Sequence, residues 1–180
     1  MKNTISSILI IVFLVIASTS LNAQSTITWT KGRPLKWSDF KALPDTEIIA
    51  YAQTSYKIEI TPSDVSVDQN NKIQNYKSLN VVANFYTNHS WVFKKDPNLL
   101  KHEQLHFDIA GLYAHKIKLE FKKLQENDIA DFDAYMSAYK ILWAECRALQ
   151  KQYDSETNHG LITTENNRWI EAIAGQINPI

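Results

Sequence analysis

The sequence changes character at Asp96–Pro97, and this change constrains the fold more than any other feature. Upstream, short stretches rich in β-branched and aromatic residues alternate with turn signals, which predicts strands. Downstream, apolar residues recur at helical spacing, which predicts helices. The predicted strands are residues 27–30, 48–60, 65–67 and 79–93, and the predicted helices are 97–123, 128–152 and 164–176. Strands followed by helices indicate an α+β fold, in which a small, mostly antiparallel sheet packs on a long antiparallel helix pair.

Residues 1–23 have the pattern of a secretory signal peptide rather than of a folded domain. Lys2 provides a positive start, residues 8–17 are almost continuously apolar, and small residues precede a cleavage position after Ala23. The apolar run is shorter than the roughly 20 residues that a membrane span needs. We therefore expect cleavage, a single domain from 24 to 180 without stable membrane insertion, and export to the periplasm or the medium.

The composition argues against several functions. Of 180 residues, 19 are basic and 19 are acidic, so the formal net charge is zero and nucleic acid binding is not expected. Cys146 is the only cysteine, which excludes an internal disulfide. It lies on the apolar stripe of the second predicted helix, so we expect a small buried side chain rather than a nucleophile. The oligomeric state stays open.

The first predicted helix contains the pattern H-E-x-x-H at His102, Glu103 and His106. Two histidines four residues apart lie on one helix face, so both imidazoles can bind one metal ion. Neutral imidazole is a good ligand of zinc, and an open coordination position can hold water. Glu103 is then placed to accept a proton from that water. A pair of ordinary surface histidines is the alternative. Gln104 and Asp108 project from the opposite face and are expected away from the metal.

A third ligand is expected where the second helix returns alongside the first. Counting back from a turn near residue 127 puts residues 148–152 level with the two histidines, so the segment 153–160 emerges beside them. The candidates are His159 first, because a flexible glycine follows it, Glu145 second, and then Asp154 and Glu156. Tyr153 is a candidate donor to the oxyanion of the reaction, although an aromatic that merely closes the helix pair fits the same pattern.

At these residues the sequence resembles a bacterial family described as predicted secreted zinc-dependent proteases, also catalogued as a domain of unknown function in the zincin-like metallopeptidase clan. The resemblance covers most of the chain after the signal peptide. It includes LKWSDF at 35–40, SWVF at 90–93, LLKHEQLHFD at 99–108 and YDSETNHG at 153–160. The resemblance implies a zincin-like fold, zinc on His102 and His106, and Glu103 as general base. Leu112 stands where the longer motif H-E-x-x-H-x-x-G-x-x-H has its third histidine, so that subclass is excluded.

The sequence therefore predicts an exported zinc metallopeptidase that acts on peptide or protein substrates through metal-activated water. An extended substrate is expected to pair with the strand segment 80–93. Two alternatives stay open. One is a non-catalytic exported binding module whose metal ties the helices together. The other is a hydrolase of cell-wall amides that uses the same residues.

Overall fold

The computed structural model describes residues 25–48 and 50–180, so the predicted signal peptide lies outside the described residues. Within the described part, no helix combines the length and the apolar character needed to cross a lipid bilayer. The strands and helices in chain order are β1 (Thr26–Thr28), β2 (Ala52–Gln53), β3 (Tyr56–Thr61), β4 (Asn80–Tyr86), β5 (Trp91–Val92), α1 (Pro97–Glu126), α2 (Phe132–Thr157) and α3 (Thr163–Ile177). These elements confirm the predicted α+β fold class with a small antiparallel sheet and two long packed helices.

Three strands form the larger sheet, in the order β1, β4, β3, and each pair is antiparallel. The register places Phe85 opposite Ile27 on one side and Tyr56 on the other. The side chains of β4 alternate, and Val81, Ala83 and Phe85 are buried in the core. A strand that alternates in this way covers the core with one face, as the period of two requires.

The predicted long strands are broken where the buried side chain of Ser90 binds the backbone. Its hydroxyl accepts a hydrogen bond from the amide of Ser55 (2.9 Å) and donates to the carbonyl of Tyr86 (2.9 Å). The predicted strand 48–60 is accordingly divided into β2 and β3, and 79–93 into β4 and β5 with a 3₁₀ turn at Thr87–His89. The predicted strand 65–67 was wrong, since only one isolated bridge, from Val67 to Ile73, forms there.

Part of the segment 80–93, along which an extended substrate is expected to pair, already has strand neighbours on both sides, and docking at the other residues stays a prediction. Residues 84–86 of β4 have β1 on one side and β3 on the other. Trp91 of β5 pairs with β2 and forms a parallel bridge with Ala42 on its other side. Because their backbone groups already face strand neighbours, these positions offer no free edge to an extended peptide.

The helix starts follow the expected capping chemistry. The Asp96 side chain accepts hydrogen bonds from the amides of Asn98 (2.8 Å) and Leu99 (3.1 Å), and Pro97 occupies the first turn of α1. The start of α2 is set by Asp131, whose side chain accepts from the amide of Ala134. The second helix therefore begins four residues later than predicted and ends five residues later, after Thr157.

The first long helix is the centre of the molecule. It contacts β3 and β4 as well as α2 and α3, so several of its faces are covered. Phe107 packs against Phe85 of the sheet with ring centroids 5.7 Å apart, and Ile109 and Ile117 are fully buried. Cys146 is buried as expected, and burial raises the pKa of its thiol to about 12. A polar side chain on such a covered helix must find partners inside the protein.

Candidate metal centre

His102 and His106 of α1 converge with Asp154 of α2 on one point. Nε2 of His102 lies 3.1 Å from Nε2 of His106. Oδ1 of Asp154 lies 3.2 Å from the first of these nitrogens and 3.1 Å from the second. Ligands arranged tetrahedrally at 2.0–2.1 Å from a metal ion are separated by about 3.3–3.4 Å. The triangle is therefore close to the size that an ion requires, and this cluster could hold a metal ion.

Gln150 fixes the protonation of the His106 ring. Its Nε2 donates to the backbone carbonyl of His106 (2.8 Å), and its Oε1 contacts Nδ1 of the same ring. Because an amide oxygen only accepts, Nδ1 must carry the hydrogen. The Nε2 of a neutral His106 ring is then left with a lone pair directed into the cluster, which is the form that binds a metal.

His102 is held by packing rather than by a hydrogen bond to its second nitrogen. The side chain is 2% exposed, and its Nδ1 is buried without a partner among the described residues. The ring lies 4.6 Å from the ring of Tyr153, and Gly160 closes the other side. A β-carbon at Gly160 would lie 2.7 Å from Cγ of His102. The position therefore needs glycine for its close approach, and its φ of +80° also favours glycine.

The two partners in the cluster have pKa values shifted in opposite directions. Burial alone would lower the pKa of His106, but the hydrogen bond to Asp154 and the nearby carboxylate charges outweigh it, so this pKa is raised. Burial alone would raise the pKa of Asp154, but hydrogen bonds to His102 and His106 hold it well below its usual range. Both shifts favour positive charge at the centre of the triangle, which a bound cation can provide.

Glu103 lies beside the triangle in the same cavity of about 350 Å³. The residue is almost completely buried, with 3% of its surface exposed. The hydroxyl of Thr54 donates to its backbone carbonyl (3.2 Å), which ties the segment after β2 to the helix. Besides the cluster, Glu103 and Gln150, the cavity is lined by Ile48, Ala50, Tyr51, Ala52, Gln53, Thr54, Tyr56, Leu99 and His159. A carboxylate in this position is available to accept a proton from a molecule in the cavity.

Four of the five predicted site residues line one cavity, namely His102, Glu103, His106 and His159. The tight cluster is completed by Asp154, which the sequence ranking placed below His159 and Glu145. His159 follows α2 in a left-handed conformation, is 69% exposed, and its Nδ1 lies 3.5 Å from Oδ1 of Asp154. It lines the cavity but stands outside the triangle, so its role as a ligand stays a prediction.

The two remaining acidic candidates lie elsewhere. Glu145 is exposed on α2 and does not line the cavity. Glu156 accepts hydrogen bonds from Trp169 (2.8 Å) and Arg168 (3.0 Å), and so belongs to the contact between α2 and α3. Asp154 differs from both because it lies one helical turn after Gln150, on the side of α2 that faces His106. This spacing of four was a signal in the sequence that could have identified the pair.

The Tyr153 hydroxyl is hydrogen-bonded inside the protein, and its role as an oxyanion donor stays a prediction. Tyr153 is fully buried, and its hydroxyl donates to Oδ1 of the buried Asn166 of α3. Burial raises its pKa. The ring contacts both His102 and His106, and the residue does not line the cavity. Tyr153 therefore packs against both histidine rings, which matches the alternative of an aromatic that closes the helix pair.

The chain was compared with known families, curated proteins and solved structures. Residues 43–160 match the sequence profile of a family described as bacterial protein of unknown function (DUF922). No curated protein and no solved structure matches the chain. The matched region contains His102, Glu103, His106 and Asp154, so the complete cluster lies inside it. The chain therefore belongs to this bacterial family of unknown function, DUF922.

Proposed function

We propose that the protein is an exported zinc-dependent hydrolase that cleaves peptide bonds. The observation that carries this proposal is the triangle of Nε2 of His102, Nε2 of His106 and Oδ1 of Asp154, with Glu103 beside it in an open cavity. Two imidazoles and one carboxylate are a typical ligand set for catalytic zinc, which keeps its fourth position free. The pattern of residues 1–23 supports the exported location.

Different residues would bind the metal ion and transfer the proton. His102, His106 and Asp154 would hold the ion, and Gln150 keeps His106 in the metal-binding tautomer. A zinc ion bound there supplies a Lewis acid that makes water acidic and polarises the carbonyl of the substrate. Glu103 accepts the proton of the attacking water and passes it to the nitrogen of the leaving amine. Its carboxylate is not part of the triangle, so it would not be one of the groups that hold the ion.

A purely structural metal site is the rival interpretation. Structural zinc sites have four protein ligands and are closed to solvent. Here three protein atoms form the cluster, and it borders a cavity of about 350 Å³. Glu103 lines the same cavity, where its carboxylate can accept a proton, and a purely structural site does not require such a group. These features favour catalysis.

The test compares the wild type with Glu103→Gln. We expect one zinc per chain in both by plasma mass spectrometry, and hydrolysis of an unfolded protein substrate about 10²–10⁴-fold slower in the variant. Glu126→Gln is the matched control, because Glu126 is an exposed glutamate at the far end of the same helix. Equal activity in wild type and Glu103→Gln would remove the mechanism. Unfolding on chelation, without activity in any form, would favour the structural site.

A further inference from the structure

A second cavity, of about 490 Å³, adjoins the metal centre and is mainly apolar. It is lined by Pro44, Asp45, Thr46, Ile48, Ala50, Tyr51, Trp91, Phe93, Asn158, His159 and Leu161. Ile48, Ala50, Tyr51 and His159 line both cavities, so the two are neighbours. The second cavity therefore lies next to the candidate metal centre.

Large apolar side chains are exposed to water around this cavity to an unusual extent. The exposed fractions are 42% for Ile48, 48% for Tyr51, 69% for Phe93 and 60% for Leu161. Ten large apolar residues are exposed among the described residues, and these four border one cavity. Single exposed apolar residues are ordinary, but a contiguous group indicates a binding surface.

The chemistry of the lining limits what can bind. No lysine or arginine occurs among the described residues that line the cavity, and Asp45 is its only carboxylate. An acidic group of a ligand would therefore find no lysine or arginine there. An apolar side chain gains from burial against Tyr51, Phe93 and Leu161, roughly 25 cal/mol for each Å² removed from water.

We propose that this cavity binds a large apolar side chain of the substrate, next to the bond that is cleaved. The inference rests on the proposed function and deepens it, because it names the substrate class. Large apolar side chains are mostly buried in folded proteins, so the substrates are extended or unfolded polypeptide segments that carry Leu, Phe or similar residues.

The experiment measures selectivity with pairs of quenched fluorescent peptides. The two members of a pair differ only in whether Leu or Ser flanks the cleaved bond, on one side or on the other. We expect the wild type to favour Leu on one side roughly tenfold or more in kcat/KM. The double variant Phe93→Ala, Leu161→Ala should lose most of that preference. Ile141→Ala is the matched control, since Ile141 is also 60% exposed but lines neither cavity.

A binding measurement separates this inference from the proposed function. Zinc-loaded Glu103→Gln protein is titrated with the same labelled peptides, and fluorescence anisotropy gives Kd. Tighter binding of the Leu peptide that depends on Phe93 and Leu161 supports the cavity even if the wild type cleaves nothing. Cleavage without preference for Leu overturns the assignment of the cavity and leaves the hydrolase proposal standing. Binding without preference for Leu also overturns the assignment of the cavity. If the protein neither cleaves nor binds the peptides, the hydrolase proposal and the assignment of the cavity are both overturned.

The same variants test the other possible occupant, a second copy of the chain. Sedimentation velocity would then show a dimer in the wild type that Phe93→Ala, Leu161→Ala converts to a monomer. That result, together with unchanged peptide selectivity, would overturn the substrate assignment. A monomer in both forms, with the selectivity change described above, supports it.

Discussion

Two faces of α1 carry polar side chains inside the protein, but they are satisfied in different ways. On one face, Asp108 accepts hydrogen bonds from Nε1 of Trp29 (2.8 Å) and Nε2 of Gln104 (2.9 Å). Oε1 of Gln104 accepts from the amide of Leu35 (2.6 Å). Each of these donors has an acceptor, so the hydrogen bonds hold the segment that contains Trp29 and Leu35 against α1.

On the other face, two imidazole nitrogens and a carboxylate oxygen approach one point. Nε2 of His102, Nε2 of His106 and Oδ1 of Asp154 all lie within 3.2 Å of one another. The pKa values of the two aspartates, Asp108 and Asp154, are shifted in opposite directions. Burial raises the pKa of Asp108, which neutral donors surround, whereas that of Asp154 is held low by the two histidines. A matched network stabilises the fold, whereas two imidazole nitrogens and a carboxylate oxygen this close together could hold a metal ion.

The largest expected effect is that of removing the aspartate of the triangle, Asp154. Asp154→Ala deletes one of three ligands, and we expect zinc affinity to fall more than about 100-fold, beyond the loss typical for a supporting residue. Isothermal titration with zinc measures this effect. Retention of wild-type affinity would show that another group, such as His159, is the third ligand.

The matched change on the other face is Asp108→Ala. It leaves the donors of Trp29 and Gln104 without their acceptor, so we expect the free energy of unfolding to fall by about 1–3 kcal/mol. Urea denaturation measures the loss, and zinc affinity should stay within about twofold of wild type. If Asp108→Ala instead weakened zinc binding as much as Asp154→Ala, the two faces would not be independent.

Gln150→Ala tests how far the convergent face depends on its support. Without the amide, the His106 ring can rotate or change tautomer, and such losses typically weaken metal binding 10–100-fold. Gln152→Ala is a suitable control, because Gln152 is exposed and its side chain donates to Glu156, which does not line the cavity. Competition with a zinc-binding dye gives both affinities. Equal affinity of the two variants would mean that packing alone orients His106.

A pair of glycines gives the smallest and most specific test. Gly160 and Gly32 have almost the same φ, +80° and +81°, so alanine costs about 1–2 kcal/mol of backbone strain at each. Only at Gly160 does the added carbon collide with His102, whereas at Gly32 nothing lies within 4 Å. Thermal unfolding should show a larger loss for Gly160→Ala, accompanied by weaker zinc binding. Identical losses with unchanged zinc affinity would mean that the His102 ring adapts without cost.

Local features of the molecule were predictable because their causes lie within a few residues. Asp96 caps α1 through amides two and three positions away, and the spacing of His102 and His106 places them on one face of any helix. The confirmed class, strands followed by a long helix pair, depends on the same short-range patterns. These signals need no knowledge of distant contacts.

Longer-range features could not be read in this way. The second helix was predicted to end near 152, but Asp131 sets its start and it continues to Thr157, so Asp154 belongs to the helix rather than to a loop. Gln150, not residue 148, therefore lies beside His106. The shift of two residues is about half a helical turn, enough to change which side chain faces the metal centre.

The sequence by itself determined the fold class, the long helix with its cap, and two imidazoles and a carboxylate at fixed spacing on that helix. Those properties follow from backbone geometry and from side chains close together in the chain. Only the tertiary structure decided that Asp154 completes the cluster, that β4 has no free edge at residues 84–86, and that exposed apolar residues gather beside the metal centre. Each of these depends on how elements far apart in the chain pack, and packing is decided by the fit of whole surfaces.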